Sequence, residues 1–216
     1  VIADIGTDHG YIPLYLIQNG KAKYAIVTDV SKGSLDKAKK LIYLYDKSHC
    51  METRLGDGLS VLSPKEEVDV IIIAGMGGIL IRDILKKNHE IAHSVCTLIL
   101  QPMNGQDELR RWLFGNGYVI DDEELVKEGD KFYEIIKAEP SENVIEYEND
   151  IYYDIGWKLV EKRHPLFFEW LERKVLSIEE VISNLEKGKT LEARERLGYY
   201  REKHRQYKEV YNCPIR

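Results

Sequence analysis

The 216-residue chain contains only three cysteines, Cys50, Cys96 and Cys213, too few and too scattered for a disulfide framework. No Cys-x-x-Cys pair or Cys/His spacing suggests a structural zinc site, so no metal is expected. A reducing cytoplasm is the default compartment. No apolar run approaches the roughly 18 residues of a membrane-spanning helix; the longest candidate, Val68–Ala74, has the length of a strand. Mean hydropathy is −0.38, and no membrane association is expected. A signal-peptide pattern is missing as well. The first residue is not methionine and Val1-Ile2-Ala3-Asp4 reads as the middle of a buried strand, so further residues are expected ahead of Val1. Positive charge is also in short supply. The net charge is −6 and the isoelectric point about 5.6, a mild argument against nucleic acid as partner unless a local patch provides the charge. The charge is uneven: residues 1–120 balance, 121–150 carry a net −9 and 151–216 a net +3.

What is present is a globular composition, 44% hydrophobic and 31% charged, with length for one domain plus a remainder or two small domains. Residues 1–138 alternate β-branched runs with helix-period segments, the pattern of a doubly wound α/β sheet with helices on both faces. Strands are expected at Val1–Ile5, Tyr24–Asp29, Met51–Leu55, Val68–Ala74 and Ser94–Leu100, with helices at Tyr11–Gln18, from an N-cap at Ser31 to Tyr45, from the glycine turn Gly75–Gly78 to Lys87, and at Gly105–Asn116. Tyr118–Val126 and Lys131–Ala138 suit a closing hairpin. From Pro165 the apolar residues Phe167, Trp170, Leu171, Val175, Ile178, Val181, Ile182 and Leu185 recur at helix spacing close to a heptad. After Gly188 a second helix carries Leu191, Leu197, Tyr200, His204, Tyr207 and Tyr211 and ends before Pro214. Two such helices should pack as an antiparallel, coiled-coil-like hairpin. The domains are therefore 1–145 and 146–216.

The strongest local signal is Asp4-Ile-Gly6-Thr7-Asp8-His9-Gly10-Tyr11 at a strand-to-helix turn. Small residues there let a nucleotide-type ligand approach the backbone. The segment has no Gly-Lys-Ser/Thr of a phosphate loop, and Asp8 stands where a dinucleotide site needs glycine beside its pyrophosphate. A carboxylate suits a cation instead, and S-adenosylmethionine carries a sulfonium and an ammonium. Asp29 ends the second strand, about 20 residues on, where an acid can accept both ribose hydroxyls; its alternative role is capping the next helix. Asp57, between Gly56 and Gly58, can accept from an adenine amine or form an ordinary turn. Acids thus close strands one, two and three on the rim where such sheets bind ligands. Ala74-Gly75-Met76-Gly77-Gly78 and Gln101-Pro102-Met103-Asn104 follow strands four and five on the same rim. His9 is either a helix-start hydrogen bonder or catalytic. The basic residues Lys158, Lys162, Arg163, Arg173, Lys174, Lys187, Lys189, Arg194, Arg196, Arg201, Lys203 and Arg205 form either a solvated helix face or a strip that grips phosphates.

Together Ile2–Pro13 (Ile-Ala-Asp-Ile-Gly-Thr-Asp-His-Gly-Tyr-Ile-Pro), Gly56-Asp-Gly-Leu59, Ile73-Ala-Gly-Met-Gly-Gly78 and Leu98-Ile-Leu-Gln-Pro-Met-Asn104 resemble the bacterial tRNA (adenine-22-N1)-methyltransferase family across essentially the whole chain. The resemblance implies a Rossmann-like class I methyltransferase domain using S-adenosyl-L-methionine, followed by a coiled-coil-like domain that binds tRNA. It implies that Gly6, Asp8, Asp29, Asp57 and Gly58 contact the methyl donor, with Ala74, Gly75 and Met76 beside it; Asp4, Thr7, His9 and Gly10 complete the loop. The family lacks the Asn-Pro-Pro-Tyr motif of adenine-N6 enzymes, in keeping with attack by a ring nitrogen. A flipped adenine would lie between the glycine turn and Gln101–Asn104. Asp8 is the candidate to take the N6 proton or steady the cationic product, and Asn104 or Gln101 the candidates to bond the base edge. A monomer is expected. The alternatives are a small-molecule methyltransferase that dimerises through the hairpin, or a non-catalytic nucleotide- or RNA-binding module.

Overall fold

β-Branched runs pair in a computed structural model that describes residues 1–143, 147, 149–188 and 190–212. β1 (Ile2–Ile5), β2 (Ala25–Asp29), β3 (Met51–Leu55), β4 (Val70–Met76) and β5 (Thr97–Pro102) run parallel, joined by β7 (Lys131–Pro140) antiparallel to β5 and by β6 (Tyr118–Glu128). The strand order is β3-β2-β1-β4-β5-β7-β6. The order reverses at β1 and β4, which places a crevice at their C-terminal ends. β1 reads Ile-Ala-Asp-Ile and is buried at every position, as a central strand covered on both faces must be.

Helices α1 (Tyr11–Gln18), α2 (Lys32–Leu44), α3 (Gly78–Lys87), α4 (His89–Ser94) and α5 (Gln106–Gly115) connect the strands. In α2 the buried residues Leu35, Ala38 and Ile42 recur at three and four, and Ser31 caps the start by accepting from Ser34 N at 3.3 Å. Burying Leu35 and Ile42 is worth about 2 kcal/mol each. Several expected boundaries shift, those of β4 and β5 among them. Residues 89–94, including Ser94, are helical rather than the approach to β5. β4 runs on to Met76, because Gly75 takes φ +77 and the resulting bulge keeps Met76 paired with Pro102.

The chain divides into two units, Val1–Asp122 with Glu134–Ile145, and Glu123–Tyr133 with Glu146–Arg216. The division differs from a sequential cut at 145 because the far end of the β6–β7 ribbon groups with the helices. In the second unit α6 (Ile151–Ile155), α7 (Trp157–Glu161), α8 (Phe167–Glu186) and α9 (Leu191–Asn212) bury Leu125, Ile155, Leu159, Phe167, Trp170, Leu171 and Tyr207 in one cluster. α8 and α9 are antiparallel, as the pairs Arg201–Glu186, His204–Glu179 and Phe168–Tyr211 require. The expected boundary residue 145, Lys189 and Pro214 lie outside the described residues.

Candidate functional site

The loop after β1 is tied down by backbone. Gly6 N and Thr7 N both donate to the carbonyl of Thr28, at 2.8 and 2.9 Å, and Gly10 N donates to Thr7 Oγ1 at 2.9 Å. Gly6 adopts φ +76, and a Cβ there would lie 1.9 Å from Met76 Cε. Two hollows meet at Gly6. One, of about 210 Å³, is lined by Ile5, Thr28, Asp29, Val30, Gly56, Asp57, Gly58, Met76, Leu80 and Ile84. The other, of about 350 Å³, is lined by Asp4, Thr7, Asp8, His9, Gly10, Tyr11, Ile12, Ala74 and Gly75. A third hollow of about 600 Å³, which sequence reading missed, opens over β1, β4 and β5 and is lined mainly by Ile2, Ile12, Leu16, Val70, Ile72 and Ile99. Its apolar walls offer little chemistry.

The rim carboxylates differ in their surroundings. Asp4 is 5% exposed, and burial pushes its pKa up to about 6; a hydrogen bond with Thr7 opposes the rise and nearby Asp29 adds to it. Asp8 is exposed, with one oxygen 2.9 Å from Lys37 Nζ and the other 2.8 Å from His9 Nδ1. The Lys37 hydrogen bond is the main cause holding its pKa below the usual carboxylate range. His9 also stacks on Tyr11, ring centroids 5.2 Å apart. Asp29 Oδ1 accepts from Ser31 N at 2.5 Å, so it does cap the turn into α2, and its other oxygen stays available to a diol. Asp57 pairs with Lys87 at 2.5 Å, a cation that the strand-end spacing does not reveal.

The two glycine-rich loops are laced together. Gly78 N donates to the Asn104 carbonyl at 2.7 Å and Met103 N to the Met76 carbonyl at 2.8 Å. The Gln101 side chain accepts from Gly75 N at 2.9 Å and donates to the Pro102 carbonyl at 3.3 Å. Gln101 therefore shapes the turn, with its amide engaged by backbone. Asn104 is exposed at the same turn, its Oδ1 3.0 Å from where a Gly77 Cβ would sit.

In the helical unit most of the basic strip is neutralised at home. Lys158 pairs with Glu161, Lys162 with Glu124, Arg173 with Asp130, Arg201 with Glu186, Lys203 with Asp154, and Arg205 with Glu202 and Glu209. Lys174 lies over the Trp170 ring. Lys187 reaches only the neutral Asn184, and Arg163, Arg194 and Arg196 have no ion-pair partner among the described residues. The solvated-face reading holds for the paired residues. Among the described residues no cluster of His, Cys, Asp and Glu could hold a metal, and no helix is long and apolar enough to cross a membrane.

The residues fit a methyl donor of the S-adenosylmethionine type. Asp29 at the end of β2 and Asp57 two residues past β3 flank a small hollow with apolar walls, Thr28 contributes a buried hydroxyl with no protein partner among the described residues, and the buried carboxylate of Asp4, with no cation beside it among the described residues, stands across Gly6. Sheet order, glycine loop and rim acids together define a Rossmann-like methyltransferase fold. A family model described as tRNA (adenine(22)-N(1))-methyltransferase matches residues 2–209, and the chain belongs to that family. The tRNA (adenine(22)-N(1))-methyltransferase of Bacillus subtilis (strain 168) is 38% identical over 148 residues, which are 68% of this chain and 62% of that relative. Among solved structures, Streptococcus pneumoniae Sp1610, described as a candidate tRNA (m1A22) methyltransferase and bound to S-adenosyl-L-methionine, superposes with TM-score 0.86 at 30% identity, covering 98% of this chain and 92% of that one. The B. subtilis M1A22 tRNA methyltransferase TrmK gives TM-score 0.85 at 28% identity, over 97% and 91%.

Proposed function

We propose that this chain methylates N1 of an adenine in tRNA, at position 22, using S-adenosyl-L-methionine. The observation that carries the reading is the convergence of Asp4, Asp8, Asp29 and Asp57 on two hollows that meet at Gly6, in a member of this family. When bound, the donor supplies an electrophilic methyl group on sulfur. In this reading Asp29 and Asp57 take the ribose and adenine, and Thr28 offers its hydroxyl to the same hollow. Asp4 faces the cationic end, helped by Thr7, Gly10 and the floor at Gly6, while Gly58 floors the hollow of Asp29 and Asp57. Ala74, Gly75 and Met76 form the wall against which the target base rests, and Gln101 keeps Gly75 in position. Adenine N1 already carries a lone pair, so no metal and no prior deprotonation are needed; orientation and desolvation supply most of the rate. The base becomes cationic as it accepts the methyl group. Asp8, held ionised by Lys37, is a weak base but a suitable counter-ion for that charge, and His9 fixes its second oxygen. Asn104 is placed to bond the base edge.

The domain roles follow: residues 1–145 bind the donor and 146–216 contribute tRNA contacts through the cations left unpaired. The chain works as a monomer, and a tRNA substrate sets its place in the cytoplasm. The test is methyl transfer to tRNA transcripts bearing adenine or guanine at position 22, with the modified site located by a primer-extension stop. Transfer to the adenine transcript alone, abolished by Asp29→Ala with Asp57→Ala, supports the reading. Donor binding without transfer to either transcript refutes it.

A further inference from the structure

The sequence points to the C-terminal helices as the source of positive charge, yet most of their cations are consumed by neighbouring carboxylates. The opposite holds on α2. Its exposed side carries Lys32, Lys37, Lys39 and Lys40, with Lys47 just beyond its end, against only Asp36 and Asp46. Lys39 reaches Asp36 at no closer than 4.0 Å, and Lys32, Lys40 and Lys47 have no ion-pair partner among the described residues. The same helix ends in three large apolar side chains left in solvent, Tyr43 at 83%, Leu44 at 76% and Tyr45 at 45% exposure. An apolar patch rimmed by charge marks an interaction surface rather than a stray residue.

This surface starts at the site. Lys37 touches Asp8, and Ala38 Cβ lies 3.4 Å from where a Gly10 Cβ would be, so the middle of α2 packs directly on the β1 loop. From Lys37 to Leu44 the exposed side climbs about 10 Å. Lysines attract phosphates as point charges without reading sequence, and tyrosine rings offer a face on which unstacked bases rest. A flipped adenine at the rim leaves its flanking nucleotides within reach of such a surface.

We propose that the exposed face of α2, through Lys39, Lys40, Tyr43 and Leu44, is a docking surface for the substrate RNA next to its target adenine. The proposal rests on tRNA being the substrate. Two variants isolate its parts: Lys39→Gln with Lys40→Gln, and Tyr43→Ser with Leu44→Ser. A third, Arg194→Gln with Arg196→Gln, reports on the helical unit. None of these residues lines the donor hollows, so calorimetric binding of S-adenosylhomocysteine serves as the check that each variant is folded. A fluorescent tRNA transcript with adenine 22 is titrated between about 50 and 200 mM salt.

The lysine variant is expected to weaken tRNA binding at least 5-fold at low salt and to flatten the salt slope by one to two units, about 0.7–0.9 per phosphate contact. The Tyr43/Leu44 variant is expected to weaken binding with the slope unchanged, the mark of lost stacking. Unchanged tRNA affinity and slope in both variants, with donor binding intact, overturns the proposal. If Arg194→Gln with Arg196→Gln alone weakens tRNA binding, the tRNA reading survives and the α2 surface falls. If wild-type protein binds donor and no tRNA, both fall. If Tyr43→Ser with Leu44→Ser changes the sedimenting mass of the protein but not its tRNA affinity, the patch belongs to self-association and the proposal is again overturned.

Discussion

Asp4 carries the sharpest electrostatic prediction. It is central in β1, 5% exposed, and burial raises its pKa from 3.8 to about 6. The unfolded chain releases this proton near 3.8 and the folded chain only near 6. Across that window the folded state holds more protons, so its stability falls as pH rises from about 4 to 6 and then levels off. A shift of about two units amounts to about 3 kcal/mol of lost stability at neutral pH. Asp4→Asn keeps the shape and can still accept from Thr7, while removing the charge. Urea denaturation followed by circular dichroism at several pH values should show the variant gaining about 2–3 kcal/mol over wild type at pH 7.5, and little at pH 4. A gain that is the same at both ends of the range refutes the reasoning. Function should move the other way. In the proposed function ionised Asp4 faces the donor's ammonium, so S-adenosylhomocysteine binding to wild type is expected to weaken as pH falls below about 6. The variant binds weakly throughout, with no such dependence.

Three further outcomes follow from particular contacts. Arg110 and Glu134 form a buried pair at 2.8 Å, with 0% and 4% of their side chains exposed; Arg110→Met removes the buried cation beside the carboxylate and should cost about 3–5 kcal/mol in urea denaturation, partly recovered by adding Glu134→Leu. A Cβ on Gly78 would meet the Gly105 carbonyl oxygen at 2.3 Å, so Gly78→Ala must separate the two laced loops, at about 1–3 kcal/mol by thermal denaturation, with weaker donor binding by calorimetry. Asp8→Asn should leave donor binding near wild type and slow single-turnover methyl transfer by 10-fold or more; wild-type turnover in this variant means the carboxylate is no counter-ion.

The parallel core was legible because β1, β2 and β4 are short runs rich in β-branched residues that end at a glycine or an acid, and the rim followed from where those runs end. The short helices were not. α4, α6 and α7 span five or six residues, too few to show a 3.6-residue period, and α7 depends on a remote partner. The buried Glu123 accepts from Lys158 N at 3.1 Å at the start of α7, and Gly156, at φ +71, leaves it room. Such an arrangement has no local sequence signature. The basic strip was misleading for a related reason. Charges can be counted along a chain, but whether Arg201 meets Glu186 or Lys203 meets Asp154 depends on how α9 lies against α8 and α6. Lys37 and Lys87, which meet two rim acids, were hidden in the same way: their partners lie 29 and 30 residues away in sequence.

Those two lysines also explain how one acidic rim can divide its labour. Asp8 and Asp57 each hold a protein cation, and Asp29 spends one oxygen on the Ser31 amide. Among the described residues Asp4 has no such cation, and only the Thr7 hydrogen bond offsets its burial. A cationic ligand group therefore relieves more unfavourable energy at Asp4 than at any other rim acid, while at Asp57 it must compete with Lys87. An anionic pyrophosphate placed on the same loop would face Asp4 and Asp8 together and gain neither relief. In the proposed function, the loop's choice of a sulfonium- and ammonium-bearing donor over a dinucleotide rests on which carboxylate lacks a cation, not on the number of acids on the rim.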